Sequence, residues 1–76
     1  MAKPRYNNSE KTFREFGNRI QELRKSRGWT QEDMADKGFS YRFYQRIEAG
    51  KPIHFKTVLK IASLFDLSLK DLFEDL

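Results

Sequence analysis

Apolar residues recur at steps of three and four along most of this chain, and this spacing restricts the fold more than any other feature. Phe13, Phe16, Ile20 and Leu23 form the clearest stripe, which is typical of one apolar face on an α-helix. No segment shows the sustained alternation, or the Asn-Gly and Asp-Gly turns, that indicate paired strands. The sequence therefore predicts an all-α domain.

Helix capping residues and glycines divide the chain into five predicted helices. They begin at Ser9 or Thr12, at Thr30, at about Tyr41, at about His54 and at Ser68. Gly28, Gly38 and Gly50 end the first three. The inward residues predicted for the second and fourth helices are Met34 and Ala35, and Phe55, Val58, Leu59, Ala62 and Phe65. The fifth helix carries an apolar stripe, part of which must complete the core: Leu69, Leu72, Phe73 and Leu76. We expect residues 9–76 to form one domain, and residues 1–8 to form a flexible N-terminal arm.

The composition excludes several ways of stabilising so small a domain. The chain has 76 residues, no cysteine and one histidine, His54, so neither a disulfide nor a structural metal is expected. A catalytic base oriented by a carboxylate beside a nucleophile is not evident, which argues against an enzyme. No apolar run approaches the length of a membrane span. These features indicate a soluble chain held together by packing, and they fit a reducing cytoplasm.

The charge of the chain is distributed unevenly. The net charge is +4, yet residues 1–30 hold eight Lys or Arg against three Glu, whereas residues 66–76 hold one Lys against four acidic residues. Such asymmetry suggests one face that meets a polyanion and another that turns away from it. Solvated surface charge would give the same counts, so the argument depends on the third helix.

The third predicted helix separates into two sides at about 100° per residue. Phe43, Tyr44 and Ile47 share one side and are predicted to face the core. The other side carries Tyr41, Arg42, Gln45 and Arg46. Arginine can bond the O6/N7 edge of guanine, glutamine can bond adenine, and all four groups can bond phosphate. A solvated helix face is the plain alternative, but no carboxylate lies between Tyr41 and Ile47 to balance the arginines.

The segment before this helix strengthens the nucleic-acid interpretation. A short helix, a turn at Gly38 and a second helix with basic residues is the order of a helix-turn-helix, whose second helix enters the major groove. The backbone amides near Thr30–Glu32 would then be available to a phosphate.

Three stretches together resemble the phage-repressor helix-turn-helix family, also called the Cro/cI-type or XRE family. They are "RIQELRKSRGWTQEDMA", "GFSYRFYQRIEAGK" and "TVLKIASLFDLSLKDLF", and the resemblance covers about residues 13–73. It implies a compact five-helix bundle, a lambda-repressor-like DNA-binding domain, in which residues 41–48 form the recognition helix. It also implies a cytoplasmic protein encoded by a prokaryote or a phage.

The resemblance assigns roles to individual residues. Tyr41, Arg42, Gln45 and Arg46 occupy the base-contacting face. Phosphate contacts fall on Thr30, Gln31, Lys51, His54 and Lys56. Arg24 and Glu48 match a structural salt bridge between the first and third helices. Family members are typically homodimers on an inverted-repeat operator in double-stranded DNA, with half-sites ~34 Å apart.

Two features depart from the family pattern. The turn between Ala35 and Gly38 is one residue shorter than usual, and Tyr44 replaces a smaller Ile or Val. The shorter turn could change the angle between the second and third helices, and therefore which side chains reach the bases.

The C-terminal helix carries candidates for a dimer interface. Leu69, Phe73 and Leu76 present more apolar surface than a domain of this size is expected to cover. The alternative is that these side chains fold back on Phe13 and Phe16. Trp29, beside an apolar stripe, is expected to pack inward.

The leading hypothesis is a sequence-specific, double-stranded DNA-binding regulator, either a repressor or an autoregulator. One alternative is a protein-interaction module of a toxin–antitoxin or anti-repressor system that uses the same scaffold. Another is a single-strand binder that stacks bases on aromatic side chains, although only Tyr41 is predicted to be exposed for that purpose. No cofactor, metal, membrane contact or small-molecule ligand is expected.

Overall fold

A computed structural model describes residues 9–74 and Leu76, and these residues form five helices joined by short turns. In chain order they are α1 (Ser9–Ser26), a 3-10 helix (Glu32–Lys37), α2 (Tyr41–Glu48), α3 (Phe55–Phe65) and α4 (Leu69–Leu72). The predicted all-α fold is confirmed, and α2 has the predicted bounds. The N-terminal arm predicted for residues 1–8 lies outside the described residues.

Side-chain caps explain where several of these helices begin. The Ser40 hydroxyl accepts the Phe43 N–H at 3.2 Å, and the Ser68 hydroxyl accepts the Asp71 N–H at 3.1 Å. Each bond satisfies a backbone donor that the helix leaves without an intrahelical partner. Of the two predicted starts of the first helix, Ser9 is the observed one, and Thr12 lies inside α1.

The second helix is a 3-10 helix of six residues that leads directly into the short turn. It ends at Gly38, whose φ of 97° suits glycine. The Phe39 N–H then donates to the Met34 carbonyl, and the Gly38 N–H to the Ala35 carbonyl, which is the Schellman pattern. A 3-10 helix rises about 2.0 Å per residue against about 1.5 Å in an α-helix. The six residues Glu32–Lys37 therefore reach further along their axis than they would as an α-helix.

One apolar core lies between the helices. Its buried members are Phe16 and Ile20 of α1, Met34 of the 3-10 helix, Phe39 of the turn, Tyr44 and Ile47 of α2, Val58, Ile61, Ala62 and Phe65 of α3, and Leu72 of α4. Trp29 packs inward as expected: its ring stacks on that of Phe65 with centroids 5.7 Å apart.

Some residues predicted to face inward are exposed. Ala35 is exposed because a 3-10 helix has three residues per turn, so the residue after Met34 is rotated away from the core. Phe43 is 40% exposed, and Phe55 and Leu59 are 61% and 46% exposed. In α3 the buried stripe runs through Val58, Ile61, Ala62 and Phe65 instead. The prediction for α3 was therefore wrong at Phe55 and Leu59, and it missed Ile61.

α1 and α2 approach each other closely at Gly17. A Cβ atom added there would lie 2.7 Å from both the Ile47 and the Glu48 carbonyl oxygens. Only a residue without a side chain lets the two backbones come this close. This contact fixes the C-terminal end of α2 against the middle of α1.

Among the described residues, no helix has both the length and the apolar character needed to cross a membrane.

Candidate nucleic-acid interface

The outward face of α2 carries a set of polar side chains on a firmly packed helix. Tyr41, Arg42, Gln45 and Arg46 are all exposed. On the opposite side, Tyr44 and Ile47 are 0% and 1% exposed and hold the helix in the core. The structure thus brings together the four residues predicted to contact bases. Two guanidinium groups, an amide and a phenol stand next to one another on a rigid element.

A buried ion pair supports α2 from behind. Arg24 donates to both carboxylate oxygens of Glu48, from Nε at 2.7 Å and from a terminal nitrogen at 3.2 Å. The other terminal nitrogen donates to the Trp29 carbonyl at 2.8 Å. Only 8% of the Arg24 side chain and 5% of the Glu48 side chain are exposed. The pair expected from the sequence is therefore formed, and it connects α1 to α2.

Hydrogen bonds continue from this ion pair to the surface. Gln31 Nε2 donates to Glu48 at 3.0 Å, and Gln45 Nε2 lies 3.4 Å from the Gln31 side-chain oxygen. Gln45 Nε2 also donates to the Tyr41 hydroxyl oxygen at 3.0 Å. We call Arg24, Glu48, Gln31, Gln45 and Tyr41 the polar chain. It orients two of the four outward side chains before any partner is present.

The charges within the polar chain are stable near neutral pH. Burial raises the pKa of Glu48, but its polar neighbours, foremost the hydrogen-bonded Arg24, outweigh burial and hold this pKa below its usual value. The hydrogen bond with Glu48 raises the pKa of Arg24 despite burial. Glu48 therefore stays ionised and Arg24 stays protonated at neutral pH.

Tyr44 lies next to this ion pair on the core side of α2. Its hydroxyl is buried without a hydrogen bond of standard geometry among the described residues. Burial, and then the adjacent Glu48, raise the pKa of Tyr44, so the phenol stays neutral. The bulky ring also forms an edge contact with Phe39, 6.0 Å between centroids, and so fills the space beneath the short turn.

The predicted phosphate-contacting residues lie at different places around α2. The Thr30 N–H donates to Asp33 at 2.7 Å, and the Thr30 hydroxyl accepts the Asp33 N–H at 3.1 Å. These bonds to Thr30 also lower the pKa of Asp33. The sequence pattern Thr30-x-x-Asp33 therefore forms a reciprocal cap, and the Gln31 amide group belongs to the polar chain.

The three remaining phosphate candidates are exposed and lie in the α2–α3 loop and in the first turn of α3. Lys51 lines a cavity with Glu10 and Arg14 of α1. His54 precedes α3 at the N-cap position, where its side chain makes no capping bond. Lys56 lies in α3, across from the start of α2. Lys51 and Lys56 thus line different cavities.

A groove beside α2 was not predicted from the sequence. It has a volume of about 500 Å³. The residues that line it are Gly38, Phe39, Ser40, Phe43, Lys56, Thr57 and Lys60. Phe43 was assigned to the core because its helical angle falls near those of Tyr44 and Ile47. Phe43 also lies only about 60° around the helix from Arg46, and this nearness to the outward face was the signal that it could be exposed.

Comparison with known proteins decides the family. A family model described as helix-turn-helix matches residues 20–72, more than half of the chain. This chain belongs to the Cro/cI-type helix-turn-helix family. No curated protein and no solved structure matched it.

The family match identifies which elements of the structure form the helix-turn-helix motif. The matched region contains the 3-10 helix, the Gly38 turn and α2, which correspond to the two helices and the turn of the motif. The family is one of regulatory, DNA-binding domains rather than of enzymes, and it implies a double-stranded DNA partner. α2 occupies the place of the recognition helix.

Proposed function

We propose that this helix-turn-helix protein binds a specific sequence of double-stranded DNA through α2 and regulates transcription by occupying an operator, as a repressor or autoregulator. The observation that carries the proposal is the outward face of α2. It presents two arginines and a glutamine without a free carboxylate, because Glu48, the acidic residue of this helix, is bonded to Arg24 and Gln31 behind that face.

Each outward residue has a role that suits its chemistry. Arg42 and Arg46 are proposed to bond the O6/N7 edge of guanine, and Gln45 to bond adenine. Tyr41 accepts a hydrogen bond from Gln45 at 3.0 Å, which leaves its own proton free for a phosphate or a base. The polar chain reduces the side-chain freedom that Gln45 and Tyr41 would otherwise lose on binding.

Phosphate contacts would fix the orientation of α2 in the groove. Thr30, Gln31, Lys51, His54 and Lys56 are the proposed contributors, and all except the half-buried Gln31 are exposed. Their positions before, after and beside α2 fit contacts to the backbones on both sides of a major groove. Such contacts position a protein without specifying sequence.

The proposal is tested by selecting bound duplexes from a random library and measuring affinity for the selected site. Arg42→Ala and Arg46→Ala should each weaken binding to that site by about 1–3 kcal/mol and relax the preference at one base pair. Lys70→Ala in α4 is the matched control, since it removes an exposed cation remote from α2 in the chain. Unchanged affinity in both arginine variants would refute the assignment of α2 as the reading helix.

A further inference from the structure

Phe43 is an aromatic residue on the reading side of α2 that neither the core nor the proposed contacts account for. It is 40% exposed, whereas its neighbour Tyr44 is fully buried. At about 100° per residue, Phe43 lies about 60° around α2 from Arg46 and about 100° from Arg42. Its ring therefore borders the face that carries the two arginines.

The opposite wall of the groove is basic. Lys56, Thr57 and Lys60 of α3 form that wall, and no carboxylate is among the lining residues. Lys60 is already engaged, because its Nζ donates to the Gly38 carbonyl and lies 4.5 Å from the centre of the Phe39 ring. Lys56 is exposed. The groove thus combines one exposed apolar ring, that of Phe43, with the available ammonium group of Lys56.

We propose that Phe43 reads a thymine by contacting its 5-methyl group, while Lys56 pairs with a phosphate of the same strand. The inference rests on the proposed function, and the occupant is a single thymidine nucleotide of the bound duplex. Thymine is the DNA base that presents an apolar group in the major groove, and phenylalanine is one of the side chains that contact it. The phosphate of a nucleotide also supplies a negative charge that is complementary to the basic wall.

The test removes the methyl group and nothing else. In the duplex recovered by selection, each thymine is replaced in turn by deoxyuridine, and affinity is measured for wild type and for Phe43→Ala. At one thymine in each half-site, the replacement should weaken wild-type binding about fourfold, the value of one buried methyl group. The same replacement should leave the affinity of Phe43→Ala unchanged.

Three further variants make the result specific. Phe43→Leu keeps an apolar side chain and should retain sensitivity to the methyl group. Leu59→Ala removes an exposed apolar side chain of α3 that does not line the groove, and it should respond to deoxyuridine as wild type does. Lys56→Ala should weaken binding to all duplexes similarly and reduce the salt dependence by about one phosphate contact.

The outcomes separate this inference from the proposed function. If deoxyuridine weakens wild type and Phe43→Ala equally at every position, Phe43 does not read the methyl group, and the arginine variants alone then decide whether α2 is the reading helix. Loss of the methyl effect in Tyr41→Ala but not in Phe43→Ala would assign it to Tyr41 instead. If wild type selects no duplex, both proposals are overturned. A circular dichroism melt of each variant establishes that it is folded.

Discussion

Glu48 connects the stability of the domain to the orientation of its reading face. Its carboxylate accepts hydrogen bonds from Arg24 on the core side and from Gln31 on the outer side. Loss of the carboxylate would leave the Arg24 guanidinium charged, buried and without its partner. Removal of one member of a buried pair is far more costly than the net contribution of the pair, because the remaining charge is not solvated.

Glu48→Ala should therefore lower the free energy of unfolding by about 3–5 kcal/mol, measured by urea denaturation. The matched control is Glu22→Ala in α1, an exposed position where a change within about 0.5 kcal/mol is expected. If Glu48→Ala were as stable as the control, the ion pair would not contribute to the fold.

The same carboxylate gives a testable dependence on pH. Because the folded-state pKa of Glu48 lies below its ordinary value, its contribution to stability is fully present above the unfolded-state pKa. That contribution is lost as the pH falls through the folded-state pKa. Between neutral pH and acid, wild type should lose more stability than Glu48→Gln, which cannot titrate at this position. Parallel curves for the two proteins would contradict this linkage.

At the scale of helices, the contact between α1 and α2 decides where the reading face lies. Gly17 permits this contact, since an added Cβ would lie 2.7 Å from two carbonyl oxygens of α2. Those oxygens belong to the backbone and cannot move without displacing the end of α2. A side chain at this position must therefore push the helices apart.

Gly17→Ala should destabilise the domain, although alanine is the better helix former. Intrinsic propensity favours alanine by up to about 1 kcal/mol, but overpacking of this kind typically costs about 1–3 kcal/mol. We expect a lower melting temperature for Gly17→Ala. Asn18→Ala, at the next and exposed position, should leave it unchanged or raise it slightly. An increase in both variants would show that the helices can separate without cost.

Helices whose ends carry capping residues could be predicted from the sequence, whereas most of the contacts between helices could not. α2 was placed correctly because Ser40 and Gly50 mark its limits. The 3-10 form was missed because a six-residue segment is too short to distinguish periods of 3.0 and 3.6. The orientation of Phe43 depends on distances between helices that periodicity does not contain. The same is true of the bond that Gln31 donates to Glu48 and of the bond that it accepts from Gln45.

At the scale of the whole molecule, the C-terminal segment is folded onto α1 and still exposes apolar surface. Arg19 donates to the Asp71 carbonyl at 2.9 Å, and the Phe73 ring stacks on that of Phe16 with centroids 5.1 Å apart. Leu69 and Leu76 remain 37% and 41% exposed. Of the three dimer candidates, Phe73 thus packs within one chain, and the exposed side chains of Leu69 and Leu76 are the ones available to a second copy.

We expect two copies to associate through Leu69 and Leu76, which would place two α2 helices on the half-sites of an inverted repeat. Sedimentation velocity should give wild type twice the 9.1 kDa mass of one chain. The double variant Leu69→Glu/Leu76→Glu should sediment as a monomer with unchanged helical content. Lys70→Glu, which adds an acid to α4 without removing apolar surface, should remain a dimer.

Phe73→Glu tests the role of Phe73 within one chain, as distinct from the dimer surface of Leu69 and Leu76. It should lower the melting temperature, because it removes the stack on Phe16. A wild type that stays monomeric at high concentration would exclude a dimer through this surface. The duplex selection would then return single half-sites instead of symmetric pairs, since one α2 helix would act alone.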